Sequence, residues 1–124
     1  MSLIKTFTAG DMTINAAMPS ALEQDEILSL VSVPFIAHAG RVYADGGELT
    51  VKNVVLMLTA IPFNVKTRIA EVLLSKAFVS STQTKVTVND FSGKMMTLNT
   101  LLAELFMWIY SDFFDYVQSV NKDE

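Results

Sequence analysis

The chain has one histidine, His38, and no cysteine, so the chemistry open to it is narrow. A thiolate nucleophile and a thiolate metal site are excluded, and a lone histidine cannot supply a pair of imidazole ligands. His38 stands between Ala37 and Ala39, beside Gly40. No G-x-S-x-G elbow accompanies it to suggest a Ser-His-Asp arrangement. It reads as structural, near a helix C-terminus whose dipole favours the charged imidazole. Asp45 and Glu48 flank Gly46-Gly47. That glycine pair lacks the Lys-Ser/Thr and the spacing of a phosphate loop and reads as an ordinary turn. Asp112 is the unusual carboxylate. At about 100° per residue it projects into the centre of an apolar stripe, between Trp108, Ile109 and Tyr116. A buried unpaired carboxylate is costly. Either the helix end opens to water there, which is the reading we favour, or Asp112 pairs with Arg41, Arg68, His38 or a residue of a second chain. The expectation from these residues is no enzyme, with no catalytic, cofactor-binding or metal-ligating set.

The same segment points instead to binding. Leu98 to Val120 reads as one long helix and carries half of the chain's aromatic residues. Leu98, Leu101, Leu102, Leu105, Trp108, Ile109, Phe113, Tyr116 and Val120 form one broad stripe. Ala103, Phe106, Met107, Tyr110 and Phe114 form a second on another side. A helix packed on a small domain needs one apolar stripe. The second must lie under more of the same chain or on another chain. Aromatics and methionine are favoured in interface cores, so Phe106, Met107, Tyr110 and Phe114 are the candidate partner-binding residues.

Composition sets the outer bounds. A length of 124 residues implies one domain that can bury a core without staples. The net charge of −4 and the absence of a basic run argue against a nucleic-acid partner. Hydrophobic residues make up 51% of the chain and the mean hydropathy is +0.38, high for a soluble domain. Val54–Ile61 is apolar but far short of the roughly 20 residues that span a membrane, so no membrane is expected. The chain reads as cytosolic.

The elements follow from local signals. Ile4–Phe7 and Met12–Ala16 alternate about Ala9-Gly10-Asp11 and read as a β-hairpin. Ser20-Ala-Leu-Glu23 after Pro19 is a capping box that starts a helix. Pro34 should end or kink that helix near Ser32, with Phe35–Ala39 continuing as a short segment to Gly40. Val42–Glu48 reads as a loop. Thr50 caps a helix on the stripe Val51, Val54, Val55, Leu58 and Ile61, with a buried strand as the alternative, and Pro62 stops it. Asn64 caps a third helix, with Val65, Ile69, Val72 and Leu73 on one face and Lys66, Arg68, Glu71 and Lys76 in solvent. Lys85–Val88 suits a short strand, Asn89–Gly93 a turn, and Thr97 or Asn99 a cap for the last helix. The fold class is α+β, mostly α-helical: a small N-terminal hairpin, then about four helices, the last long and aromatic-rich. One domain is expected, with residues 1–17 as an arm, 20–120 as a helical body and 121–124 as a frayed tail.

The order of these features resembles a known family. The hairpin ends in Ile14-Asn-Ala-Ala-Met-Pro-Ser20. Ser20-Ala-Leu-Glu-Gln-Asp-Glu-Ile-Leu-Ser-Leu30 follows, then a glycine-rich break, then Leu49-Thr-Val-Lys-Asn-Val-Val-Leu-Met-Leu-Thr-Ala60. This plan, over roughly residues 1 to 61, is similar to the tail assembly chaperones of long-tailed, lambda-like phages. The resemblance implies a protein that binds the helical tape measure protein and keeps it soluble while the tail tube assembles. It also implies the host cytoplasm and absence from the finished virion. The physical reading adds homo-oligomerisation through the second stripe. The alternative is a structural phage component, such as a head–tail connector or tail completion protein.

Overall fold

The computed structural model describes residues 3–122, apart from the side chains of 32–36 and 120–122. Val120 of the first stripe and the end of the expected tail thus lie outside the described residues. The order is β1 (Ile4–Ala9), β2 (Met12–Ala17), α1 (Ala21–Ala44), α2 (Val51–Thr59), α3 (Phe63–Leu74), β3 (Ala77–Val79), a 3₁₀ turn (Val88–Phe91), α4 (Met95–Ile109) and α5 (Ser111–Lys122). The fold is α+β and mostly helical.

The hairpin pairs as its alternation requires. Phe7 lies opposite Ile14 and Ala9 opposite Met12, and Phe7, Ala9, Ile14 and Ala16 are all buried, so one face of the ribbon enters the core. Gly10 takes the first central turn position at φ +62°, the place where a type II′ hairpin turn favours glycine. A third strand was not foreseen. β3 is only three residues long and pairs antiparallel with β2, Ala77 opposite Ala16 and Val79 opposite Ile14. The expected strand at Lys85–Val88 shrinks to one bridge, Lys85 to Phe78. The chain turns away at once because Asp90 Oδ2 accepts from the Thr87 N–H at 2.9 Å and closes a capping box on the 3₁₀ turn.

α1 starts at the Ser20–Glu23 capping box, with both reciprocal bonds at 3.2 Å. It does not stop near Ser32. It runs through Pro34 and Gly40 to Ala44, which also takes in the first part of the expected 42–48 loop. Proline removes one intrahelical bond, but Ile27 and Val31 before it and Ala39 after it are fully buried, and tertiary packing holds both halves in line. The turn comes instead at Gly46, φ +81°. α2 is a helix, not a strand. Thr50 Oγ1 accepts from the Asn53 N–H at 3.3 Å, and Val54, Val55, Met57 and Leu58 are buried while Leu56 is exposed. α3 begins one turn position earlier than expected, at Phe63 after Pro62, with no side-chain cap, so Asn64 lies inside it. Proline at the helix entrance leaves no N–H needing a cap. Arg68 is not simply solvated: its Nε and Nη2 donate to both Glu26 oxygens at 2.8 Å and tie α3 to α1.

The expected single C-terminal helix is two. α4 starts at Met95, a turn before Thr97 and Asn99, and neither caps it; Asn99 Nδ2 bonds back to the Met95 carbonyl at 2.8 Å instead. The helix breaks at Tyr110 (φ −107°, ψ 26°). α4 packs against α2, α3 and β1, whereas α5 packs on α1. One straight rod cannot bring two differently directed apolar stripes to two different neighbours; a break lets each half turn to its own.

Two outcomes are expected. Leu105 is fully buried, so Leu105→Ala should cost about 2–5 kcal/mol of stability; an unchanged denaturation midpoint would contradict this packing. Hydrogen bonding by Arg68 holds the Glu26 carboxyl below its ordinary 4.5. Its contribution is complete above that value and is lost as pH falls through the lower folded value. The melting-temperature gap between the native chain and Glu26→Gln should therefore narrow below about pH 4.5; a gap independent of pH would remove the pair from this account.

Candidate functional site

The residues suggestive of chemistry are not assembled. His38 is half-buried on α1, with Nε2 enclosed and without a hydrogen-bond partner. Asp112 is exposed in the first turn of α5, where its Oδ1 accepts from the Phe113 N–H at 2.7 Å. The break at Tyr110 carries it out of the apolar stripe, so the solvent reading of Asp112 is the one the fold realises. Asp45 and Glu48 are exposed on either side of the Gly46 turn. No hydrogen bond or ion pair joins these groups to one another among the described residues, and none of their clusters could hold a metal ion there.

The second apolar stripe is covered by its own chain. Ala103, Phe106, Tyr110 and Phe114 are buried. Phe106 stacks on Tyr110 at 4.5 Å and lies 5.8 Å from Phe114, ring centre to ring centre. Tyr110 Oη donates to the Gln24 carbonyl on α1 at 2.7 Å, and burial pushes its phenol above the ordinary value. Of the four residues assigned to a partner, only Met107 is half exposed. Phe106, Tyr110 and Phe114 cannot meet a partner in this arrangement, because α1 and α5 close over them. The first stripe is mixed: Leu98, Leu101, Leu102, Leu105 and Ile109 are buried, Trp108 and Phe113 half-buried, and Tyr116 exposed.

An apolar opening does exist, at a place the periodicity did not mark. A groove of about 630 Å³ runs between α3, the segment 85–88 and the start of α4. α3 contributes Phe63, Lys66, Thr67, Ala70, Glu71 and Leu74, which recur at i, i+3, i+4, i+7, i+8 and i+11 and so share one face. α4 contributes Met95, Leu98 and Leu102, and Val86 and Val88 close the third side. Phe63 is 83% exposed. A side chain of that size left in water at the rim of an apolar groove is a feature of binding surfaces. The volume falls within the range of about 300–1,000 Å³ typical of ligand pockets.

The groove has one polar anchor. Lys66, expected in solvent, is half-buried, and its Nζ donates to Oδ1 of Asn99. Asn99 is itself buried, at 4% exposure, and its amide is spent on Met95 O. Burial lowers the Lys66 ammonium from its ordinary value. The signals for this site were present in the chain: Phe63 lies off the Val65, Ile69, Val72, Leu73 face, and Asn99 interrupts the α4 stripe. Neither could be read without knowing that the two faces meet.

Comparison with protein-family models, with curated proteins and with solved structures finds no match for this chain.

The two aromatic surfaces should respond differently to charge. Phe106→Asp with Phe114→Asp should abolish the cooperative thermal transition, since it buries carboxylates without partners. Phe63→Asp should leave stability within about 0.5 kcal/mol. Circular dichroism melting checks both, and an unfolded Phe63→Asp chain would show that the groove is filled in the native state.

Proposed function

We propose that this chain is a non-enzymatic helix-binding chaperone, and that its client is the tape measure protein of a long-tailed phage. The groove beside Phe63 carries the reading. Helix-in-groove recognition needs an apolar trough between two elements, with side chains free to take anchors spaced at i, i+3, i+4 and i+7, and the trough between α3 and α4 has that form. The resemblance of residues 1–61 to tail assembly chaperones supplies the identity of the client. The groove lies outside that stretch, at residues 63–102, so the two supports are independent.

In this reading the protein acts in the host cytoplasm. It covers apolar helical segments of the client until the tail tube grows around them, and it leaves before the virion is complete. Self-association through the same groove would shield it when no client is present. The earlier assignment of contact to the second stripe narrows to Met107 at its exposed edge, since Phe106, Tyr110 and Phe114 form part of the core.

Co-expression with the tape measure protein of the same phage tests this. The client should be soluble with the native chain and insoluble with Phe63→Asp, while the variant stays folded. Equal solubilisation by both chains would overturn the groove as the client site. Finding the protein in purified virions would overturn the chaperone reading in favour of a structural component.

A further inference from the structure

The groove is charged in a way its lining does not require. The chain as a whole carries a net charge of −4, yet this trough holds two lysines, Lys66 and Lys85, and one carboxylate, Glu71. Glu71 is engaged by Arg68 Nη1 at 3.2 Å. Neither lysine has an ion-pair partner among the described residues. An acidic molecule has therefore placed uncompensated positive charge on its most apolar open surface.

Lys66 is the more telling of the two. An ammonium has three donors, and the one bond described for it goes to a neutral oxygen, that of Asn99. The amide is locked from the other side by Met95 O at 2.8 Å, so Asn99 works as a fixed bracket that holds Nζ toward the groove floor. An all-apolar occupant would strip the remaining water from this charge and return nothing, which is costly. A cationic one would repel it. An occupant with a carboxylate at that depth would satisfy it.

We propose that the groove selects an amphipathic helix bearing an Asp or Glu on its apolar face, its carboxylate seated on Lys66 Nζ and its flanking apolar residues packed on Phe63, Val88 and Met95. This deepens the helix-binding reading above and rests on it. The three apolar anchors are 83%, 44% and 52% exposed, and they surround the lysine, so apolar contact on both sides of one buried charge is the pattern the occupant must match. Burial that already depresses the Lys66 ammonium makes the pairing more valuable, since a charge half-withdrawn from water gains more from a counter-charge. Lys85, exposed at the rim, adds a longer-range attraction that salt screens.

The experiment uses the full chain and fluorescein-labelled helical peptides of about 18 residues, roughly five turns. They are built from leucine, alanine and glutamine and differ only at one central position of the apolar face: Glu, Gln or Lys. Fluorescence anisotropy should give the Glu peptide at least about tenfold tighter binding than the Gln peptide, and the Lys peptide the weakest. Lys66→Met should erase the preference of Glu over Gln, Lys66→Arg should keep it, and Lys85→Met should keep it with a smaller salt dependence. Equal affinity of the Glu and Gln peptides for the native chain would overturn the carboxylate pairing and leave the helix-binding groove standing. A preference that survives in a folded Lys66→Met chain would overturn the role of Lys66. Failure of all three peptides to bind would overturn the groove reading itself. Palmitate binding in the absence of peptide binding would replace the helix with an acyl carboxylate as the occupant.

Discussion

The structure depends on α4 being apolar on nearly every side. Leu101, Leu102, Ala103, Leu105 and Phe106 are consecutive or nearly so, and each has an exposure of 1% or less. A helix with no face suited to water must be surrounded. The rest of the chain is arranged as that surround: the hairpin through β1, α2 and α3 pack directly on α4, and α1 reaches it through the Tyr110 hydroxyl bound to the Gln24 carbonyl. The break at Tyr110 follows from the same constraint. Once α4 is enclosed, the remaining aromatics cannot continue along its axis without projecting into water, so α5 turns to lie on α1.

Enclosing one helix with short elements leaves seams. The seam between α3 and α4 stays open because the residues that line it from α3 are mixed. Phe63, Ala70 and Leu74 alternate with Lys66, Thr67 and Glu71. That face is too polar to close on α4 and too apolar to be a plain solvated surface. The Lys66–Asn99 bond holds the seam at its floor, and Arg68 holds α3 from behind through Glu26 on α1. Both partners of that ion pair are 41% exposed, so it orients α3 more than it stabilises the fold. The groove is thus a fixed product of how α3 is pinned, which suits a site that must present the same shape to each client helix.

Signals that act within a turn or two of the chain were legible. The capping box at Ser20, the cap at Thr50, the stop at Pro62 and the Gly10 turn each place their own backbone bonds and need no distant partner. Signals that depend on what lies across the molecule were not. Pro34 fails to end α1 because buried residues on both sides hold the helix. β3 exists because β2 offers an edge to Ala77–Val79, three residues with no alternation of their own to reveal it. Lys66 is half-buried because α4 lies beside it. Asn99 looked like a cap and is a bracket.

By itself, then, the sequence determined the class of the fold, the hairpin, the starts of α1 and α2, and the presence of more apolar surface on the last helical segment than one neighbour can cover. Only the tertiary structure decided where that surface went. Phe106, Tyr110 and Phe114 turned inward because burying three aromatic rings against α1 and α5 removes more apolar area from water than any exposed arrangement of the same chain. The surface left for a partner fell instead on Phe63 and the charged groove behind it. Periodicity along a helix tells which residues share a face; which faces meet is settled by the competition among all of them for the same core.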